Sequence, residues 1–438
     1  MFKFAFGIVL IGAGFYKTLF HDPVWGLYLF AAFSHIRLEQ LGGDIGLPLR
    51  IPILIASATF IAYVLNRSYR NKFRKWPVEV LIFAVMVIGM CVGSAMARFD
   101  AELTWKLSFD YVKFWIFFVL LIQMLDSIKK VEWFHWTLIL SSAWLVYRCW
   151  DLRGTTGMRF ENIGGGNIAD GNHFAAALTM LFPFVFQETL SRNWQVATGA
   201  AILCVGIVFA IIITVSRGGL LGLTALSILI LVAYPAQRFR NLVFIGAITG
   251  VVFMFATESQ FDRLSTLTNA GSDELRDGSA QSRIDNWRLA FQLFLDNPWF
   301  GVGPGNFAYY SGMMVWHQDA GTPGHVTHSI WFELLSQGAL VFGPFVLLLL
   351  NFFVRSWNLV RRYIAAGQHE MAMYVKTPMI GLGAFLVPAT FIDRAVYEPI
   401  YWCIGLGVVH TYLAEEYFKK TSEQPRGGIR GHSVMKEP

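Results

Sequence analysis

The chain alternates long apolar stretches with short polar breaks from end to end. Residues 78–97 and 196–215 are predominantly apolar runs. Runs of roughly 17 to 25 such residues cross a hydrocarbon core as helices. Residues 242–256 form a slightly shorter run that crosses with its flanking residues. The runs are continuous rather than alternating, which excludes a membrane β-barrel. Lipid leaves backbone groups no partner outside helices or closed barrels. The pattern therefore predicts an all-α polytopic membrane protein with about 12 transmembrane helices. The count is 12 or 13, because the apolar residues 2–18 and 25–33 are separated by His21-Asp22-Pro23, and the second stretch is short enough to be re-entrant. The expected organisation is an N-terminal bundle over 1–256, a large loop with an amphipathic helix over 257–327, C-terminal membrane helices over 328–418 and a cytoplasmic tail over 419–438. The polar, Gly-containing stretch from Thr421 onward is expected to be disordered.

Charge adds direction to this pattern. Only 15% of residues are charged and 55% are hydrophobic, against about 25% charged in soluble domains. The net charge of +6 is no nucleic-acid footprint, because Lys and Arg cluster in short loops beside the spans. Arg67, Arg70, Lys72, Arg74 and Lys75 crowd one loop, which the positive-inside rule places in the cytoplasm. Counting alternately, the next inside loops hold Lys129 and Lys130, then Arg192, then Arg238 and Arg240, then Arg355, Arg361 and Arg362, and last Lys419 and Lys420. All agree in sign with the first. Cys91, Cys149, Cys204 and Cys403 lie in or beside apolar runs with no metal-ligand spacing, and no disulfide is inferred. The N-terminus lacks a convincing cleavage site, so the first apolar stretch is expected to be retained.

By elimination, residues 98–110, 150–172, 216–219, 257–327 and 393–399 face outward. The long segment 257–327 holds no Lys, four Arg and eight Asp or Glu. Long ordered loops are usually functional. Within it, Ile284, Trp287, Phe291, Phe294 and Leu295 fall on one helical stripe, with Arg283 on one edge and Arg288 on the other. Guanidinium groups suit bidentate contact with phosphate oxygens. The same pattern also fits an interfacial helix whose arginines reach lipid headgroups. After Asp296-Asn297-Pro298 come Gly301, Gly303 and Gly305, interleaved with Pro304 and Asn306, a turn-rich run that brings backbone close to another group.

Two further positions carry candidate chemistry. His328 opens the apolar stretch 329–351, where the positive end of a helix dipole disfavours imidazolium and leaves a neutral ring able to act as a general base. His325 is the fallback; as a metal pair with His328 it has no evident third ligand. Arg217, in Ser216-Arg217-Gly218-Gly219, interrupts an otherwise apolar run over 197–233. A charge between two spans with almost no loop marks a functional site by default.

Taken in order, these pieces resemble the O-antigen ligase/polymerase superfamily of bacterial inner-membrane proteins. Its pattern is a Ser-Arg-Gly turn, a large periplasmic loop with Ser-Arg and a downstream Pro-x-x-Gly-x-Gly, and a His before a helix ending in Glu-x-Gly. Here those are Ser216-Arg217-Gly218, Ser282-Arg283 with Trp287, the run Pro298-Trp299-Phe300-Gly301-Val302-Gly303, and His328 with Glu333 and Gly338. Asp170-Gly171-Asn172 is similar to the family's Asp-Pro-Asn, with Gly for Pro, and the Glu-x-Gly is stretched to Glu333–Gly338. The ordered motifs cover about 162–350.

The resemblance implies a GT-C-like, metal-independent and inverting glycosyltransferase of lipopolysaccharide biosynthesis, without a cofactor. It works on the periplasmic side of the inner membrane, with the C-terminus cytoplasmic. It implies an undecaprenyl-pyrophosphate-linked glycan as donor and the lipid A-core oligosaccharide as acceptor, both held among membrane lipids. His328 becomes the general base, Arg217, Arg283 and Arg288 the pyrophosphate-binding groups, and Arg159, Asn172 and Asp393 supporting candidates. A polymerase or a protein O-glycosylating ligase would share the donor and the motifs. A transporter or flippase is the alternative from another class. Transporters place ionisable groups near the midplane and often carry inverted repeats, whereas these cations lie at one face.

Overall fold

The structure is a computed structural model and describes residues 2–35, 51–71, 75–151, 170–214, 216–255, 278–393 and 397–423. Arg159, Lys72 and Arg74, the first part of the long loop and the last fifteen residues lie outside the described residues. All regular elements among the described residues are helical. They are α1 (Phe2–Phe20), α2 (Val24–His35), α3 (Ile51–Leu65), α4 (Arg67–Asn71), α5 (Val78–Ala95), α6 (Ala101–Met124), α7 (Ile128–Asp151), α8 (Gly171–Glu188), α9 (Trp194–Ile213), α10 (Arg217–Ala233) and α11 (Arg238–Phe255), followed by α12 (Gly278–Asp296), α13 (Phe307–Met314), α14 (Ile330–Ser336), α15 (Ala339–Ala365), α16 (His369–Ala389) and α17 (Glu398–Glu423).

Among the described residues, five helices (α5, α6, α9, α15 and α16) are long and apolar enough to cross a membrane unaided. α10 and the segment Pro235–Ala247 pass the same test together, bent by 102°. The expected count of about 12 is thus not reached on length and composition alone. One reason is visible in α8, where every residue from Phe174 to Gln187 is buried. This helix threads the middle of the bundle against α7, α9, α10 and α16. It meets protein rather than lipid, so it tolerates Asn172, His173 and Gln187.

Within the ambiguous N-terminal stretch, residues 2–35 form a hairpin of α1 and α2. Its His21-Asp22-Pro23 turn is pinned by Tyr69, which donates to Asp22 Oδ1 (2.5 Å), and by Lys130, whose Nζ lies 3.3 Å from Asp22 Oδ2. The turn therefore shares an end of the bundle with the basic segments at 67–71 and 129–130. At that same end, buried Glu79 accepts from Asn351 (2.8 Å) and Arg355 (2.7 Å), which ties α5 to α15.

Two expectations are corrected. The apolar stretch 329–351 is not one helix: it breaks at Gln337-Gly338 into α14 and α15. Gly338 has φ +90° and lies back to back with Gly301, φ +58°. A Cβ on Gly301 would sit 2.1 Å from the Ser336 carbonyl, so only glycine fits. Val302 donates to that carbonyl (2.9 Å), while Ala339 and Leu340 donate to Pro298 and Trp299 (2.7 and 3.1 Å). The Gly-rich run is thus a backbone clamp that caps the first turn of α15. The second correction concerns the tail: α17 runs on to Glu423, past Thr421, on a water-facing last turn where Lys419 and Glu423 pair at i,i+4 (4.0 Å).

Candidate active site

At the end of the bundle opposite Asp22, the segment 278–338 lies on the ends of the spans. α12 buries Asn286, Leu289, Ala290 and Leu293, which pack with Val302 and Phe307. The stripe read from the sequence is a different face: Ile284, Phe291 and Leu295 are exposed, and only Trp287 and Phe294 are partly covered. A short helix period identifies an apolar stripe but not its partner. Asn306 anchors the same segment to the α5–α6 turn. It accepts from Phe99 N (3.0 Å) and donates to Thr104 Oγ1 (2.6 Å).

His328 sits just before α14, at φ +50°, a left-handed conformation that a non-glycine residue holds only when its surroundings fix it. The contacts of its neighbours fix it. Trp287 donates its indole N–H to the Thr327 carbonyl (2.9 Å) and stacks on Phe332 (5.1 Å, 8°). Ser329 N donates to Thr327 Oγ1 (3.3 Å). Thr327 Oγ1 also lies 3.1 Å from the Ser329 carbonyl and 3.3 Å from Glu333 Oε2. A hydroxyl has one proton, so those two acceptors cannot both be served while Glu333 is ionised. Burial, with Asp393 nearby, raises the Glu333 carboxyl to about 7. When protonated, it donates to Thr327, whose hydroxyl donates in turn to the Ser329 carbonyl, and Gln337 Nε2 donates to Glu333 Oε1 (3.1 Å).

Burial lowers the pKa of His328. The Asp393 carboxylate opposes that shift, and the positive charges of Arg283, His325 and His173 add to it. The dominant cause is thus desolvation, in place of the helix dipole expected from the sequence. The same four neighbours define the site. Asp393 follows α16, Arg283 comes from α12, His325 from the loop, and His173 from the first turn of α8. His173 Nε2 lies 3.4 Å from Asp393 Oδ1, and its Nδ1 lies 3.8 Å from Asp170 Oδ1. His325 is exposed and its ring lies 4.4 Å from that of Trp316.

Arg217 opens α10, where Ser216 caps the helix by accepting from Gly219 N (3.0 Å). Gly219 packs so closely on Ala175 that a Cβ would come within 2.7 Å of that methyl group, and Gly218 faces Pro388. The α10 start is therefore wedged between the first turn of α8, which bears His173, and the last turn of α16, which leads to Asp393. Asn172 donates its backbone N–H to Asp170 Oδ1 (2.7 Å) in the α8 cap. Arg288 is set apart: its side chain is 76% exposed, it lies 3.6 Å from Asp285, and it is not among the groups acting on His328.

Sequence reasoning missed His173 and the grip of Glu333 on Thr327. The only local signal for His173 was its place beside Asp170-Gly171-Asn172.

A cationic and imidazole-rich cluster at one end of a helical bundle suits proton removal beside a developing anion. No curated protein matches the chain. Residues 201–338, from α9 through His328 to Gly338, match the sequence model of the O-antigen ligase family. The matched segment holds Arg217, Arg283 and His328, so this part of the chain is similar to the O-antigen ligase family.

Proposed function

We propose that this chain is an O-antigen ligase. It moves a glycan from undecaprenyl pyrophosphate to a sugar hydroxyl of the lipid A-core on the periplasmic face of the inner membrane. The observation that carries the chemistry is the convergence of Arg283, Asp393 and His173 on His328. The description of the matched segment, O-antigen ligase, supports a ligase over a polymerase.

The acceptor hydroxyl attacks the anomeric carbon from the face opposite the pyrophosphate. The new C–O bond forms as the bond from the anomeric carbon to the pyrophosphate oxygen breaks, with inversion. The hydroxyl proton passes to the neutral imidazole of His328. The electron pair of the broken bond leaves on the pyrophosphate, where Arg283 and Arg217 stabilise the developing charge. Asp393 orients His328 and offsets the imidazolium that forms, and His173 orients Asp393. Asn172 supports this arrangement through the α8 cap.

The test is an assay with purified donor and two acceptors, lipid A-core and a second lipid-linked glycan. A ligase uses only the first. Transfer to the second alone assigns a polymerase, and transfer to neither removes the glycosyl-transfer reading.

A further inference from the structure

At about 100° per residue, α12 divides into four arcs. Asn286, Leu289, Ala290 and Leu293 form the buried arc. Trp287 and Phe294 come next, with Trp287 stacked on Phe332 of α14 and 6.5 Å from Phe391. Beyond them Ile284, Phe291 and Leu295 stand exposed at 40%, 51% and 60%. The circle closes on the polar Gln281, Asp285, Gln292 and Asp296. Arg288 lies on the seam between the exposed apolar arc and the polar arc.

The level of this helix is fixed at both ends. Trp287 reaches Phe391, just past the last turn of α16, and Pro298 and Trp299 bind the first N–H groups of α15. α12 therefore lies across the ends of the membrane helices. Its apolar arc runs about 16 Å along the axis and continues into Trp299, 63% exposed beside the first turn of α15. Helices α5 and α15, which meet this end of the molecule, also expose apolar residues, among them Ile88 and Leu347. A strip left in water forfeits about 25 cal/mol per Å² of apolar surface. An apolar arc edged by a cation, with Trp at one end, is the arrangement that lies in a membrane interface.

We propose that Ile284, Phe291, Leu295 and Trp299 rest at the headgroup–acyl boundary of the surrounding bilayer, and that Arg288 binds a phospholipid phosphate there rather than substrate pyrophosphate. The inference is independent of the proposed reaction. Arg288 suits this role because its long stem covers apolar surface while its guanidinium stays at phosphate depth.

The test is spin-label accessibility in phosphatidylglycerol-containing nanodiscs, with single labels at Phe291→Cys, Arg288→Cys and Gln292→Cys. The native chain, labelled identically, supplies the background from its own thiols. Oxygen is expected to relax the label at 291 more than a water-soluble nickel chelate does, with the order reversed at 292 and position 288 between them. A second arm adds inorganic phosphate to the Phe291→Cys and Gln292→Cys proteins, which keep Arg288, and neither reading should change. Nickel-dominated relaxation at 291 overturns the interfacial placement. A label at 288 as wet as that at 292, or a reading at 291 or 292 that responds to free phosphate, overturns the lipid contact.

Discussion

Thr327 Oγ1 lies 3.3 Å from Glu333 Oε2, so the residue before His328 is fastened to the helix that follows it. This contact helps hold the left-handed backbone of His328 with a buried carboxyl group. Glutamine at 333 reproduces the protonated acid, with an amide N–H for Thr327 and an oxygen for Gln337. Glu333→Gln should therefore fold and transfer nearly as the parent does. Glu333→Ala leaves both partners unmet and should cost about 1–3 kcal/mol of stability. Its kcat should fall with little change in KM. Thermal melts and initial rates compare the two; equal losses in both would remove the hydrogen-bond account.

The same carboxyl group makes stability pH-dependent. Its pKa rises on folding from 4.5 to about 7, so the folded state binds the extra proton. That contribution is complete below about 4.5 and is lost as pH climbs through about 7, a span worth up to about 3 kcal/mol. Relative to Glu333→Gln, the parent should lose stability between pH 5 and 8. A flat difference in denaturation midpoints over that range contradicts the assignment.

His328→Ala should lower transfer by about 10²–10⁴-fold without loss of expression. Near-normal ligation by this variant removes it as the base.

The acid limb of the rate profile should follow the charges around His328. Asp393 raises its pKa, so Asp393→Asn should move the acid limb to lower pH, because the neutral ring survives to greater acidity. Arg283→Gln removes a cation that lowers the pKa and should move the limb upward. Profiles of kcat/KM for the two variants that shift in the same direction would refute this electrostatic picture.

Arg217→Ala and Arg283→Ala should each reduce transfer strongly, and lysine should restore little because the bidentate fork is lost. Activity should persist in excess chelator. Full lysine rescue, or a metal-restorable loss, would require a different way of holding the pyrophosphate.

Much of this was legible in the sequence, and the rest fails for identifiable reasons. Arg217 and His328 stand out because they sit at the ends of apolar runs, and Arg283 because it edges the apolar stripe of the long loop. His173 does not, since its partner Asp393 lies on another helix far along the chain, and no local period reports such a pairing. The stripe on α12 was visible as a stripe, but its buried face holds Asn286 and Ala290, which carry little hydropathic signal. The break at Gly338 was hidden because its cause, the Gly301 backbone, comes from a separate segment. The central α8 carries polar residues that lipid would reject, which blurs any count of spans made from hydropathy.

The clamp between residues 298–302 and the start of α15 is made of main-chain atoms. Side chains at 299 and 300 are therefore free to diverge among relatives while the depth of this membrane helix stays fixed. Moving a single residue into or out of that short run would reset the height of the helix, and with it the distance of His328 from the bilayer.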